Sequence, residues 1–431
     1  MAQIPVCAEK LCSNMHAPSL RSLCLSIVAG VCFTQFAHAE DWPRWRGQNA
    51  NGISSEQVAT SWEGGQPKEL WSAEVATGFS ACVVADGRLV TMGNRDDEDI
   101  ITCLDANTGE LAWTHSYEEP VDPNLFEGGP TATPAIHKGN VYTLSRKGHV
   151  CCIELASGKV VWESNIRDQF EANIPAWGFS GSPVVGDAGL LLNVGSHGTL
   201  LNPADGKVLW QSDNSDDAGY ATPVIIPGSS PAEVLVMSGK AIQSVNVATG
   251  EVVWQFPWIT RYGVNAADPH LVDGGIFLSS GYSKGTTFIE LPVTGPEPSA
   301  AWRSRNLRNQ MSPGVVIGGH IYATDGDAGT TPTFRCLDVK TGDIAWTHEG
   351  LGSATLIAAG ETLIILSDDG RLVLAKANAK EFEQLAEAQV LEGKCWTMPT
   401  LANGKLYCRN AAGHLVCLKV DGQFSCEIET Q

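Results

Sequence analysis

The stretch Asp105–Ser116 reads DANTGELAWTHS, and close variants of it recur along the chain. They are ELASGKVVWESN from Glu154, NPADGKVLWQSD from Asn202, NVATGEVVWQFP from Asn246 and DVKTGDIAWTHE from Asp338. In each variant, a turn sequence that ends in glycine precedes a short apolar run with a tryptophan. The tryptophans of this repeat, 42 to 49 residues apart, are Trp71, Trp113, Trp162, Trp210, Trp254, Trp302 and Trp346. A repeat of this length is typical of propeller blades or helical arrays.

The sequence inside one repeat decides between these two architectures. SPVVGDAGLLLNVGSHGTLLNPADGKVLW, from Ser182, contains four short apolar runs separated by glycine-containing turns. No run has the length or the 3.6-residue period of a helix, so each repeat is predicted to be a four-stranded antiparallel meander. The Thr-Gly-Glu type of turn joins the third strand to the fourth, because glycine accepts a positive φ. The tryptophan then lies on the fourth strand, where we interpret it as a structural residue packed between blades.

Eight repeats can be counted from their first strands. These begin FSACVVADG, TATPAIHKG, FSGSPVVGD, YATPVIIPG, NAADPHLVDG, MSPGVVIGG, SATLIAAGE and WTMPTLANG. The seventh repeat is degenerate, and we place Gln384 at its tryptophan position. The eighth ends after its third strand, and PKELWSAEV around Trp71 can supply the missing fourth. The fold class is therefore predicted as an all-β, eight-bladed β-propeller of four-stranded antiparallel blades, closed by pairing of the N- and C-terminal strands.

The first 39 residues differ from the rest of the chain. Arg21 precedes the apolar run LCLSIVAGVCF, and the small residues Ala37 and Ala39 precede Glu40. The run is shorter than the ~20 residues that span a bilayer. We therefore predict that residues 1–39 are a signal peptide, cleaved near Ala39/Glu40. Residues 40–431 are then expected to be a single propeller domain in a monomeric, periplasmic or secreted protein with no transmembrane segment.

Removal of this leader leaves 26 basic and 47 acidic residues, a net charge of −21. A chain this acidic is repelled by phosphate backbones, so nucleic acid is not expected as a partner. Nine of the 13 cysteines remain, an odd number, which leaves at least one thiol without an intramolecular partner. In YCRNAAGHLVCL a turn centred on Ala412 and Gly413 pairs Cys408 with Cys417 across a hairpin. This pair is a candidate for a disulfide, and two free thiols are the alternative.

Two motifs carry a resemblance to a known family. The opening DWPRWRGQNANGIS from Asp41 and the repeat core LDxxTGxxxW resemble the quinoprotein-like (PQQ-like repeat) β-propeller proteins of exported bacterial type. The resemblance covers essentially all of residues 40–431 and implies the propeller fold. It leaves the function open, because this superfamily includes pyrroloquinoline quinone (PQQ) dehydrogenases as well as the outer-membrane barrel-assembly propeller BamB, to which the chain is distantly similar.

A quinoprotein dehydrogenase holds PQQ in its central funnel with calcium, a catalytic aspartate and a ring of two adjacent cysteines. Cys151 and Cys152 are adjacent, but Cys152 occupies the same third-strand position as Cys103, Cys336 and Cys417, so we assign the pair to the strand. The acidic clusters NRDDEDI, DNSDDAG and DGDAGT fit no complete calcium loop and are interpreted as solvated turns. The ten histidines show no zinc-type pair. We expect no catalytic residue, metal or cofactor, with PQQ and calcium as the alternative.

The segments that enter each first strand are predicted to line one mouth of the propeller. Aromatic and arginine side chains at such a mouth suit recognition of a protein, peptide or small ligand, although they can also simply pack the loops together. The candidates are Phe126, Trp177, Tyr220, Tyr262, Asn265, Arg305, Arg308, Asn309 and Trp396. Trp42, Arg44, Trp45 and Arg46 form a second group, interpreted as an arm across the propeller. We predict a binding or assembly scaffold without chemistry of its own; the alternative is a PQQ-dependent dehydrogenase with a cofactor in the funnel.

Overall fold

The computed structural model describes residues 40–122, 126–291, 297–327 and 329–420. These residues form eight β-sheets in which successive strands are neighbours, which confirms the predicted all-β, eight-bladed propeller. Helix in this part of the chain is confined to the 3-10 turn Glu63–Gly65 and the α-helix Ile166–Phe170. Neither helix is long and apolar enough to cross a membrane. The predicted signal peptide lies outside the described residues.

Each of the first six blades has four antiparallel strands, which follow in chain order from the innermost to the outermost. Blade 1 comprises Val83–Ala85, Arg88–Arg95, Glu98–Asp105 and Leu111–Glu118. Blade 2 comprises Ala135–His137, Asn140–Leu144, His149–Glu154 and Val160–Asn165. Blade 3 comprises Val184–Gly186, Gly189–Leu192, Thr199–Leu201 and Val208–Gln211. Blade 4 comprises Val224–Ile226, Glu233–Met237, Ala241–Asn246 and Val252–Pro257. Blade 5 comprises His270–Val272, Gly275–Ser280, Gly285–Glu290 and Ala300–Ser304, and blade 6 comprises Val315–Ile317, His320–Asp325, Thr333–Asp338 and Ile344–His348.

The last two blades include strands from the N-terminal part of the chain. Blade 7 comprises Thr355–Ala359, Thr362–Leu366, Arg371–Lys376 and Glu383–Gln389, with Ile53–Ser54 added in parallel at its inner edge. Blade 8 comprises Thr400–Ala402, Lys405–Arg409 and His414–Lys419, with Lys68–Glu74 as its outer strand. Trp71 on that strand lies opposite Cys417. The predicted closure by N- and C-terminal strands is therefore confirmed.

The turn between the third and fourth strands follows from its sequence. In blade 1, Oδ1 of Asp105 accepts hydrogen bonds from the backbone N–H groups of Asn107 and Thr108, at 2.9 and 3.1 Å. Gly109 then adopts a φ of 74°, in the left-handed region that glycine enters without steric cost. Asp338 accepts the same two backbone bonds in blade 6. The repeated Asp/Asn-x-x-Gly sequence thus encodes one turn, used blade after blade.

The repeated tryptophan packs on the same turn of the next blade. The indole N–H of Trp113 donates to the carbonyl of Leu155 at 2.8 Å, and the ring lies against Gly158. A Cβ atom at Gly158 would stand only 2.6 Å from that ring, so no other residue fits without displacement. Equivalent indole–carbonyl bonds join Trp162 to Pro203, Trp210 to Val247 and Trp346 to Asn378. Glycine is therefore required at this position for two reasons: its φ is positive, and a side chain would clash with the tryptophan ring of the preceding blade.

The assignment of Gln384 to the tryptophan position of blade 7 is wrong. In blade 1, Trp113 lies opposite Cys103, just before a β-bulge. In blade 7 the residue at the corresponding position is Ala386, opposite Leu374, whereas Gln384 lies on the other side of the bulge. Every blade has this bulge, but the connection in blade 7 is longer: the paired residues are 12 positions apart, Leu374 to Ala386, against 10 for Cys103 to Trp113. An alignment of repeats of constant length does not reveal these two added residues.

The predicted disulfide between Cys408 and Cys417 is not formed, because the hairpin register differs by one residue. Cys408 lies opposite Val416, while Cys417 lies opposite Tyr407, so the two thiols face opposite sides of the blade and are free. The turn is responsible: Oδ1 of Asn410 accepts the N–H groups of Gly413 and His414, which closes a loop different from the predicted one.

Candidate functional site

The N-terminal arm, residues 40–59, crosses one end of the central channel. Trp42 and Val84 of blade 1 exchange two backbone hydrogen bonds. The N–H of Ile136 in blade 2 donates to the Pro43 carbonyl, and the N–H of Ala358 in blade 7 donates to the Gly52 carbonyl. The Glu56 carboxylate accepts the N–H groups of Asn403 and Gly404 in blade 8. Trp42 is 1% exposed. The arm interpretation of the opening motif is thus supported by contacts to four consecutive blades, 7, 8, 1 and 2.

The arm also places a buried polar cluster near the axis. Asp268 Oδ2 accepts a hydrogen bond from the Trp45 indole at 2.7 Å and lies 3.7 Å from the Arg46 guanidinium. Asp268 Oδ1 accepts the N–H of Thr222 at 2.8 Å. Arg46, only 2% exposed, also donates to the carbonyls of Asn51 and Gly314. Both oxygens of this carboxylate therefore have partners within the protein.

Burial governs the ionisation of this cluster. It lowers the pKa of Arg46 and raises the pKa of Asp268, while the charge of each partner opposes the shift. His270 lies beside them, with one ring nitrogen 3.4 Å from Arg46 and the other 2.6 Å from the carbonyl of Pro313. Burial, followed by the charge of Arg46, lowers the pKa of His270 to about 3. The imidazole is therefore neutral at physiological pH, and the cluster holds the arm in place.

Above this floor, the opposite end of the channel opens into a funnel with a cavity of about 310 Å³. Trp45 forms part of its base, and the segments that enter the first strands form its wall. The aromatic side chains that line it are Trp45, Phe79, Phe126, Trp177, Tyr220, Tyr282 and Trp396. Four of the nine predicted mouth residues, Phe126, Trp177, Tyr220 and Trp396, are therefore brought together around one opening.

The aromatic rings are arranged in contacting groups. Trp396 contacts Phe126 edge-on at 5.1 Å between centroids and stacks on Phe79 at 5.9 Å. The Lys394 ammonium group lies 4.6 Å from the centre of the Trp396 ring and pairs with Glu127. Across the funnel, Trp177 packs edge-on against Tyr220, with 6.1 Å between centroids. Phe126 remains 57% exposed, so these contacts leave ring surface open to a ligand.

The remaining predicted mouth residues have other positions. Tyr262 is 52% exposed and reaches the funnel only through its edge-on contact with Tyr282. Asn265 and Asn309 are buried, and Asn265 donates to the carbonyls of Ser238 and Trp258. Arg308 forms a two-pronged ion pair with Asp325. Arg305 is exposed outside the residues that line the funnel. Asn265, Arg308 and Asn309 therefore fit the alternative interpretation, in which mouth residues pack the loops together.

Among the lining residues that were missed at the level of sequence are two aromatic residues and an arginine. Phe79 lies in the segment that enters the first strand of blade 1 and could have been included by the rule that selected the others. Tyr282 lies in the turn between the second and third strands of blade 5, which that rule does not cover. Arg146 is held by the carbonyls of Gly129 and Trp177, at 3.3 and 2.8 Å, and lies in the corresponding turn of blade 2. The mouth is thus built from two sets of loops.

The residues of the funnel do not fit PQQ with calcium. Both oxygens of Asp268 are engaged as described, and Oδ1 of Asp327 accepts the N–H of Tyr282. Among the described residues, the group of three potential metal ligands with converging atoms lies outside the funnel lining. Cys151 and Cys152 are both buried in the third strand of blade 2, on opposite faces, packed towards blades 1 and 3. Neither cysteine faces solvent, because both faces of the blade are covered by its neighbours.

Comparison with known proteins finds similarity to several β-propellers. It is 25% identical over 284 residues to the outer membrane protein assembly factor BamB of Shewanella oneidensis, covering 61% of this chain and 67% of that protein. The crystal structure of BamB from Moraxella catarrhalis matches 83% of this chain and 98% of that one, with a TM-score of 0.60 and 13% identity. The quinohemoprotein alcohol dehydrogenase of Comamonas testosteroni matches 90% of this chain and 82% of that one, with a TM-score of 0.66 and 15% identity.

At these identities the two structural matches show the shared fold alone. The family assignment rests instead on a family model described as outer membrane protein assembly factor BamB, which matches residues 40–115 and 97–348. These segments include the arm, the floor residues Trp45 and Arg46, and the first six blades. Because the model matches more than half of the chain, this protein belongs to the BamB family of β-propellers.

Proposed function

We propose that this protein is an exported binding scaffold without chemistry of its own, which holds an extended segment of a partner protein in the aromatic funnel. The observation that carries the proposal is the contrast between the two ends of the channel. The cavity beside the arm, about 610 Å³, has Trp45 as its one Trp, Tyr or Phe lining residue, whereas seven such rings line the funnel. Large rings with few rotatable bonds offer contact area at a low entropic cost, as protein-recognition sites require.

The class of partner follows from the relatives. Proteins of this family carry the name of an outer membrane assembly factor, so we propose that the partner is a protein of outer membrane assembly. Export through the predicted leader, residues 1–39, is part of the same proposal. A small ligand is the remaining alternative, since a cavity of about 310 Å³ also lies at the lower end of the range for small-molecule pockets.

Site-specific photo-crosslinking in the native host tests the location of the partner. A photoreactive residue at Phe126 is expected to capture an outer membrane assembly protein, and the yield should fall when Trp177, Tyr262 and Trp396 are replaced by alanine. A probe at exposed Lys340, on the arm side, is the control. Capture of the same protein from Lys340 alone, or capture that the three substitutions do not change, would contradict the proposed site.

A titration with PQQ and calcium tests the absence of chemistry. A PQQ dehydrogenase must fix calcium against the quinone and place a base near the substrate. In the funnel, both oxygens of Asp268 and one oxygen of Asp327 already accept hydrogen bonds from the protein. We expect no change in PQQ absorbance and no dye reduction in the presence of alcohols or sugars. Calcium-dependent binding near micromolar, together with turnover, would replace the scaffold by a dehydrogenase.

A further inference from the structure

A cluster of metal-ligating side chains lies between blades 1 and 2, away from the funnel. His115 comes from the outer strand of blade 1, within the repeat stretch DANTGELAWTHS. Cys151 and Glu163 come from the third and fourth strands of blade 2, where they lie directly opposite each other. The potential ligand atoms of these three residues all lie within 4.8 Å of one another. Two blades thus contribute to one group of nitrogen, sulfur and oxygen donors.

A second histidine extends the cluster. His149 precedes Cys151 by two residues on the same strand, so both side chains point to the same face. Its Nε2 is buried, has no hydrogen-bond partner and lies 3.5 Å from Oε2 of Glu163. The ring is held by stacking on Tyr117, with 4.0 Å between centroids. A buried nitrogen without a hydrogen bond is costly, and coordination to a cation would satisfy it.

The spacing is close to that of a tetrahedral zinc site. Bond lengths of about 2.0–2.3 Å separate neighbouring ligand atoms around zinc by roughly 3.3–3.7 Å. Nε2 of His115 lies 3.2 Å from Oε2 of Glu163, already at that separation. Small side-chain rotations would bring the ligand atoms of His149 and Cys151 to the same separation. Glu163 is 48% exposed at its side chain, which provides an entry path, whereas Cys151 forms the buried base.

We propose that His115, His149, Cys151 and Glu163 bind a zinc ion that joins blade 1 to blade 2. The donor set of two imidazoles, a thiolate and a carboxylate suits Zn²⁺ better than calcium or magnesium, which prefer oxygen ligands alone. On binding, Cys151 releases its proton to solvent and its sulfur bonds to the cation. Because the ion binds the folded pair of blades, zinc stabilises the native state.

Cobalt substitution provides a direct test on the full chain purified without a polyhistidine tag. Co²⁺ added to the chelator-treated protein is expected to give one site per chain, with a thiolate-to-cobalt absorption band that Zn²⁺ displaces. Cys151→Ser should abolish the band. Cys152→Ser is the matched control, because this neighbouring thiol is equally buried but faces blade 3. A band that survives Cys151→Ser, or no band in the parent protein, would overturn the proposal.

Substitutions at partly exposed ligands test the site even if the Cys151→Ser protein does not fold. Glu163→Gln and His115→Ala change partly exposed side chains and should leave the circular dichroism spectrum unchanged. Each is expected to weaken Zn²⁺ at least tenfold, since even outer-shell changes cost 10- to 100-fold. His320→Ala, at a distant turn of blade 6, should bind like the parent. Equal zinc affinity in all of these proteins would contradict the site.

Discussion

The two ends of the central channel are built from the same kinds of residue but are used differently. At the arm end, Trp42, Arg46 and Asp268 are buried, and their polar atoms are largely satisfied within the chain. At the funnel end, Phe126 and Tyr262 remain more than half exposed, and the rings contact one another without being covered. Aromatic and arginine residues in a propeller mouth therefore indicate a binding site only where their side chains remain exposed and are not buried by other segments of the same chain.

The largest effect is expected when the arm end is removed altogether. Deleting residues 40–76 takes away the arm and the outer strand of blade 8, which exposes the edge of the last blade. We expect loss of cooperative unfolding, measured by calorimetry or circular dichroism against temperature. A truncated chain that melts in one transition at the temperature of the parent would refute the structural role of this end.

A single substitution at the floor should cost less but still several kcal/mol. Asp268→Ala leaves the buried Arg46 without its counter-charge and the Trp45 indole without an acceptor, so we expect a loss of about 3–5 kcal/mol in the free energy of unfolding. Denaturant titration measures it. Asp327→Ala at the funnel, where one carboxylate oxygen accepts a single backbone bond, is the matched control and should cost about 1 kcal/mol. Equal losses would remove the contrast between the two ends.

Acid should weaken the arm end specifically. The pKa of His270 is lowered from 6.5 to about 3, so the unfolded chain takes up a proton below pH 6.5 that the folded chain refuses. The contribution of neutral His270 to the free energy of unfolding is complete above pH 6.5. It is lost as the pH falls towards 3, by at most about 1.4 kcal/mol per pH unit. We expect the parent and His270→Gln to converge in stability between pH 6 and pH 4. A stability difference between them that does not change with pH would show that His270 is not buried in its neutral form.

The smallest effect on stability is expected at the funnel. Tyr262→Ala removes a ring that is 52% exposed, so we expect a change in the free energy of unfolding within about 0.5–1 kcal/mol. The same substitution should lower partner capture, which separates binding from folding. A loss of several kcal/mol in thermal or denaturant unfolding would place this ring in the core and remove it from the binding surface.

The sequence determined the repeated parts of this protein. The turn Asp105–Gly109, the tryptophans of the fourth strands and the eight first strands depend on contacts within a blade or between successive blades, which recur at a constant interval. Closure by the strand around Trp71 followed from counting strands. Local turn chemistry and a regular period therefore sufficed for the fold, because each blade repeats the same hydrogen-bond pattern.

The strand register, and which side chains from different blades come together, were decided only by the tertiary structure. A one-residue difference in the turn at Asn410 separates Cys408 from Cys417, and a connection two residues longer moves the tryptophan position of blade 7 to Ala386. The ten histidines gave no zinc-type pair in sequence, yet His115 and His149 meet where two blades face each other. His115 and His149 are 34 residues apart in the chain and belong to different blades, so their distance depends on how the two sheets twist and pack around the axis. The same packing decides which mouth residues remain open and which, like Asn265, are buried.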